Sequence, residues 1–360
     1  MFPLIRYYFW FIFFLSLSRP CFPARILPEM VTVTPNHHHT QKATWHDFSR
    51  FLHAERGRQV SGMSELKRYF HNFGYFPHKT TPFNFTDDFD SEFESAVTLY
   101  QQKLGLSVSG KLDSDTISTI MAPRCGISDA AASSSRAIHS TRHFAYFNGT
   151  PRWIRGSPMN LTYAFTPDAM ITRLSMTEIR TAFENAFSRW ASVIPVNFME
   201  TSDYEPADIR IGFYLGDHGD GEPFDGVLGV LGHAFSPENG RLHLDAIETW
   251  AVDFNREGSK VAVDLESVAT HEIGHVLGLA HTNVKEAIMY PSLNPRTSKR
   301  DLRMDDVVGI QALYGSNPNF TFSSLLESEN SSNFAVRVES DLTRWPPLLA
   351  FALFILLSWT

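Results

Sequence analysis

The segment HEIGHVLGLAH, residues 271–281, constrains this chain more than any other feature. On a helix, His271 and His275 stand one turn apart on one face, so their imidazoles can grip one zinc ion together. Glu272 follows the first ligand by one position, close enough to touch a water on that zinc without displacing it. On a continuous helix His281 would lie about 15 Å along the axis from His271. Gly278 removes that obstacle, because glycine accepts φ > 0 and can turn the chain back toward the metal. Three neutral nitrogens leave one position open, the ligand count of a catalytic rather than a structural zinc. Downstream, Ala287-Ile288-Met289-Tyr290-Pro291 reads as a tight turn, whose Met289 taken alone is simply a core residue.

The rest of the composition narrows the setting. A chain of 360 residues has length for roughly two domains plus extras. A net charge of −8 excludes a general nucleic-acid or anionic-membrane binder, which would carry a basic stripe. Two cysteines, Cys21 and Cys125, exclude a disulfide scaffold. At the N-terminus Arg6 precedes an apolar run over 7–17 that is short for a membrane span and fits a secretory signal over 1–24. Its removal leaves Cys125 as a lone thiol in an oxidising compartment, which asks for a reason.

The far end reads in the same direction. An uncharged apolar tail over 348–360 follows a polar spacer and the small cluster Asn330-Ser331-Ser332-Asn333. That order matches a GPI-attachment signal, with Ser331 as the attachment residue, Asn330 or Ser332 as neighbours that also qualify, and 332–360 removed. A short transmembrane tail or a buried C-terminal helix is the alternative. The implied location is the outer face of the plasma membrane, reached through the secretory pathway and held by a lipid. Sequons at Asn84, Asn148, Asn160, Asn319 and Asn330 agree with export.

Between the ends, a segment over 25–142 contains three short helical patterns within about 60–122. One carries Met63, Leu66, Tyr69 and Phe70 with Gly74 as its stop. The next carries Phe93, Ala96, Val97, Tyr100 and Leu104. The third is capped by Asp113 or Ser114. A Ser/Ala-rich linker follows. The second domain, 143–315, opens on an alternating strand over 161–165. It continues with an amphipathic helix over 177–193 capped by Thr177, strands, a Gly-rich stretch over 215–245, a helix over 267–280 and a last helix over 305–313. A polar stalk over 316–331 completes the order.

HEIGHVLGLAH followed by Met289 resembles the metzincin clan, and Pro123-Arg124-Cys125-Gly126 narrows the resemblance to matrixins, the matrix metalloproteinases. The resemblance runs from about residue 60 to 315. The stretch DGVLGVLGHAFSPENGRLHLDAIETWAVD, with no haemopexin-like domain, is similar to the plant members, and the helical segment resembles their peptidoglycan-binding-like prodomain. The resemblance implies an α+β fold: a twisted, mostly parallel sheet with three helices, preceded by a small three-helix prodomain. It implies a latent zinc endopeptidase, a monomer acting on extracellular proteins, with Glu272 as general base. The rival reading is an inactive zinc-containing surface binding module, whose mark would be loss of that glutamate.

The same resemblance assigns further residues. Cys125, in the pattern Pro-Arg-Cys-Gly-x-x-Asp that ends at Asp129, becomes an inhibitory fourth zinc ligand, and Arg124 pairs with Asp129. Thiolate is a good zinc ligand, so the role is chemically sound. His218, Asp220, His233 and His243 match a structural zinc; four protein ligands close a tetrahedron with no room for water. A Gly-rich loop also holds His and Asp for hydrogen bonding alone. Asp225, Gly226, Leu228, Val230, Asp245 and Glu248 resemble the calcium site, where hard carboxylate and carbonyl oxygens suit the ion. Arg241 stands where another calcium ligand would be, so that second calcium site is not carried over. Leu231, Gly232 and Ala234 fall on an edge strand that aligns substrate. Tyr290, Pro291 and Leu293 flank a primed-side pocket with an apolar preference.

Overall fold

The computed structural model describes residues 45–76, 84–133 and 144–323. The signal segment, Asn330, Ser331, Ser332 and the apolar tail lie outside the described residues.

A 3-10 helix, Trp45–Phe51, leads into α1 (Met63–Asn72), α2 (Ser91–Lys103) and α3 (Ser114–Met121). Each helix begins or ends where the local chemistry dictates. Gly74, at φ 84, follows the C-cap of α1. Asp90 caps α2 by accepting from Phe93 N at 2.8 Å. Asp113, rather than Ser114, caps α3 by accepting from Thr116 N at 2.9 Å. The apolar faces of the three helices meet in an aromatic core in which Phe70 stands edge-on to Phe93 at 5.1 Å and 82°.

The second domain is built on a six-stranded sheet with the order β1-β7-β8-β6-β4-β5. Its strands are β4 (Met159–Phe165), β5 (Val196–Glu200), β6 (Ile209–Tyr214), β7 (Val230–Ala234), β8 (Arg241–Asp245) and a propeptide strand, β1 (Arg124–Cys125). Strands β5, β4, β6 and β8 run parallel, while β7 runs antiparallel to β8. A three-stranded antiparallel sheet joins β2 (Ala132–Ser133), β3 (Ala145–Phe147) and β11 (Leu279–Ala280). A parallel pair, β9 (Trp250–Ala251) and β10 (Val263–Asp264), completes the strands.

Three helices attend this sheet: α4 (Met176–Val193), α5 (Leu265–Val276) and α6 (Met304–Tyr314). Helix α4 buries Ile179, Ala182, Phe183, Ala186, Phe187 and Trp190, the stripe its sequence period implies. Its cap lies two residues before the expected Thr177. Ser175 is the N-cap, and Glu178 reaches back to Ser175 N at 2.9 Å in a capping box. Helix α5 is buried along its whole length. The sequence pattern ran it to residue 280. The helix stops at Val276 because Gly278 sits at φ 106, and the chain leaves as strand β11. The Trp190 indole N–H donates to Thr270 O at 2.9 Å and locks α4 to α5.

Candidate metal centres and substrate cleft

Helix α5 presents His271 and His275, and the turn at Gly278 returns His281 to face them. The Nδ1 atom of each ring has an acceptor: His271 with Ile288 O at 2.7 Å, His275 with Leu279 O at 2.8 Å, and His281 with Asp129 Oδ1 at 2.6 Å. These partners place the ring proton on Nδ1 and leave Nε2 as a bare lone pair. Burial and the neighbouring histidines hold His271 and His275 well below the ordinary imidazole range. Burial also lowers His281, with Asp129 acting against it.

The Nε2 atoms of His275 and His281 are 3.1 Å apart, and Cys125 Sγ lies 3.4 Å from His275 Nε2. The ligand atoms of all four residues fall within 4.8 Å of one another. His271 Nε2 is buried without a hydrogen-bond partner. Neutral lone pairs gathered so closely repel unless a cation lies among them. Three nitrogens and one sulfur suit zinc. Without a cation, burial and the Glu272 carboxylate push the Cys125 thiol well above its ordinary range. A coordinated metal reverses that, since a ligating thiol is deprotonated.

Glu272 is fully buried beside the cluster, and its carboxylate oxygens have no hydrogen-bond partner. Burial pushes its carboxyl up to about 8, with the Cys125 sulfur offsetting part of the rise. A carboxyl so placed is a proton acceptor kept dry and uncommitted. Met289 lies under the helix: a Cβ on Gly274 would come within 2.2 Å of its sulfur.

The cleft has two walls, and the propeptide fills it. Strand β1 pairs in parallel with the edge strand β7, with Cys125 opposite Gly232. Arg124 N donates to Gly229 O at 3.0 Å and Gly126 N to Gly232 O at 2.8 Å. On the other side Cys125 N donates to Pro291 O at 2.9 Å, and Leu293 N to Pro123 O at 3.0 Å. Leu231, Gly232 and Ala234 therefore lie on one wall and Tyr290, Pro291 and Leu293 on the other, as their sequence positions imply. Tyr290 also belongs to the aromatic core of the prodomain.

A buried network anchors this plug. The Arg124 guanidinium meets both oxygens of Asp129 at 2.9 Å and lies over the Phe73 ring at 3.7 Å. Asp129 also accepts from Tyr75 Oη at 2.5 Å. The pairing of Arg124 with Asp129 was legible in the motif. The contacts of Asp129 with His281 and Tyr75 were not, because neither residue lies near Asp129 in sequence.

Behind the cleft, His218 Nε2, His233 Nε2 and His243 Nδ1 converge on Asp220 Oδ2 at 2.9, 2.8 and 2.8 Å. The other ring nitrogen of His218 faces Gly216 O at 2.9 Å, which leaves its Nε2 lone pair aimed at a carboxylate. Burial lowers His233, and it lowers His243 to about 4 with His233 adding to the effect. Neutral nitrogens around one carboxylate oxygen again call for a cation. All four ligand atoms lie within 4.8 Å of one another.

The residues assigned to calcium gather on the loop before β7 and the turn after β8. Asp245 Oδ2 accepts from Gly226 N at 3.3 Å, Glu248 Oε1 from Leu228 N at 2.6 Å, and Asp225 Oδ1 from Val230 N at 2.8 Å. Burial pushes Glu248 up to about 8, with Asp245 and Asp225 adding repulsion. Its Oε2 is buried without a partner. Three carboxylates crowded this way favour a cation. Among the described residues, however, only the two histidine groups bring at least three side-chain ligand atoms within 4.8 Å. Arg241 stacks over Phe235 at 4.0 Å. Asn84, Asn148, Asn160 and Asn319 are exposed.

Comparison with known proteins agrees with this geometry. Residues 152–315 match the Matrixin family model, and residues 59–120 match a putative peptidoglycan binding domain. The chain is 58% identical to metalloendoproteinase 4-MMP of Arabidopsis thaliana over 271 residues, covering 75% of this chain and 78% of that protein. It is 52% identical to metalloendoproteinase 1-MMP of the same plant over 320 residues, 86% of each chain. Human neutrophil collagenase is 40% identical over 226 residues, 61% of this chain and 43% of that protein. With a histidine-rich centre suited to zinc, a propeptide thiol turned into it, and two plant relatives matched over most of their length, the chain belongs to the matrixin family of zinc metalloendopeptidases.

Proposed function

We propose that this matrixin is a latent endopeptidase exported to the cell surface, and that Glu272 is its general base. The observation that carries the catalytic reading is the convergence of Cys125 Sγ and three histidine nitrogens within 4.8 Å, with the Glu272 carboxyl buried beside them. His271, His275 and His281 would hold a zinc ion, whose Lewis acidity would acidify water and polarise a carbonyl. Glu272 takes the proton of the attacking water and passes it to the leaving amine. The edge strand β7 aligns the substrate backbone, and the wall at Tyr290–Leu293 receives a primed-side residue. In the zymogen Cys125 occupies the position that water needs.

We assign His218, Asp220, His233 and His243 to a second, structural zinc. Asp225, Asp245, Glu248 and the backbone of Gly226, Leu228 and Val230 are assigned to calcium. Export and a GPI lipid rest on the sequence signals at 1–24 and 330–360 and on the exposed sequons; the chain acts as a monomer on extracellular protein. No helix among the described residues is long and apolar enough to cross a membrane.

The test uses the full-length chain activated with a thiol-blocking mercurial and a peptide library, with and without a chelator. Cleavage should be abolished by chelation and restored by zinc. Glu272→Ala should lose at least about a hundredfold in kcat/KM, with zinc still bound at two per chain. Retained turnover in the alanine variant would remove Glu272 from the role of base.

A further inference from the structure

The last carbonyls of a helix have no partner within it, so each needs a donor from elsewhere. At the end of α5 two side chains supply one apiece. The Trp153 indole N–H donates to Val276 O at 2.9 Å, and the Tyr314 hydroxyl donates to Leu277 O at 2.9 Å. Tyr314 Oη in turn accepts from the backbone N–H of Trp153 at 3.1 Å. Pro151 closes the same spot: a Cβ on Gly278 would come within 2.3 Å of its carbonyl oxygen. Trp153 is buried, and Tyr314 is the last residue of α6. Residues near both ends of the second domain thus meet on the turn at 276–278.

That turn leads directly into the metal centre. Leu279 O, one position after the glycine, faces His275 Nδ1 at 2.8 Å, and His281 follows two positions later. Two of the three histidines therefore take their orientation from backbone that starts at this turn. The only ladder holding that backbone is short: Leu279 and Ala280 pair with Tyr146 and Ala145. Trp153 and Tyr314 both bond to backbone rather than to a ligand, so any influence on the ion passes through Leu279 and His281. Removing the Tyr314 hydroxyl would strand two backbone groups at once, Leu277 O and Trp153 N, and an unmade bond costs more than a made one contributes.

We propose that Trp153 and Tyr314 are positioning residues for the metal centre, and that their hold on the turn at 276–278 slows the escape of an ion bound by His271, His275 and His281. Without these donors the turn loosens, and Leu279 O and His281 shift with it. This inference rests on the zinc reading of that centre and deepens it.

The test is made on the full-length zymogen with cobalt(II) in place of zinc. Only the centre that includes Cys125 can give a thiolate-to-cobalt absorption band, because the group of His218, Asp220, His233 and His243 contains no sulfur. The band is followed while a chelator removes the metal, and total cobalt is followed alongside. Tyr314→Phe keeps the ring and removes the hydroxyl. It should speed loss of the band by about threefold or more, while release of the sulfur-free cobalt stays within about twofold of wild type. Trp153→Phe, which lacks the indole donor, should move the band in the same direction. An unchanged rate of band loss in either variant would overturn the proposal. Equal acceleration at both sites would overturn it too, since that is general loosening of the fold. A wild-type chain with no thiolate band would remove the metal reading of the Cys125 centre first, and this proposal with it.

Discussion

Asp129 does more than its neighbours in the motif. One buried carboxylate accepts from Arg124 Nη2 with both oxygens, accepts from Tyr75 Oη, and accepts from the Nδ1–H of His281. Burial alone would raise its pKa, but the Arg124 guanidinium, followed by His281, holds it well below the ordinary carboxylate range. The propeptide thus grips the metal centre twice, by the Cys125 sulfur and by an outer contact on a histidine ring. Removing one partner of a buried ion pair typically costs about 3–5 kcal/mol, because the other charge is stranded. Asp129→Asn in the full-length chain should therefore expose the Cys125 thiol, making it react with a thiol reagent at least about tenfold faster than in wild type. An unchanged rate would show that the backbone pairing of β1 alone secures the plug. Cys125→Ser should go further and give activity without linker cleavage, since a hydroxyl is a far weaker zinc ligand than a thiolate. A serine variant as silent as the wild-type zymogen would mean that occlusion of the cleft, not ligation, maintains latency.

At the scale of elements, helix α5 carries the chemistry, and the space around it is closely filled. Gly274 is the tightest point: a Cβ there would meet Met289 Sδ at 2.2 Å and the Trp190 ring at 3.0 Å. Alanine is the better helix former by about 1 kcal/mol. Overpacking a core typically costs about 1–3 kcal/mol, and here it would displace the turn beneath the metal ligands. Packing should win. Gly274→Ala is expected to lower the apparent melting temperature by roughly 2–8 °C, and a raised midpoint would show that the turn yields freely. The edge strand β7 is the second decisive element. Gly232 allows close approach, because a Cβ there would come within 2.8 Å of Leu244 and 3.5 Å of Glu272 Oε1. In the zymogen that edge is already paired by β1, so latency and substrate alignment compete for the same backbone groups.

At the scale of the molecule, the proposed anchor and the latch belong to different parts of the chain. The surface-anchoring reading is tested on intact cells: phosphatidylinositol-specific phospholipase C should release the protease to the medium. Retention on the membrane, with a peptide covering 348–360 recovered from the mature protein, would count against a lipid anchor. The chemistry of the centre was legible without coordinates, because helical spacing alone sets His271 beside His275, and because ligand type alone selects zinc. The helix patterns were legible too, for a stripe such as Ile179, Phe183 and Trp190 needs only a period. Boundaries were less so. Thr177 and Ser175 are both competent caps, and only the reach of Glu178 decided between them; the break at Val276 depended on how Gly278 would be used. What the chain order could not reveal was which distant residues meet. Asp129 touches His281 across 152 positions, and Tyr290 enters the prodomain core. Sequence by itself determined the metal chemistry and the kinds of element, because both follow from residue type and short-range period. Tertiary structure alone decided the latch and the direction of the plug, because those follow from long-range packing, where burial and partner geometry set what each group can do.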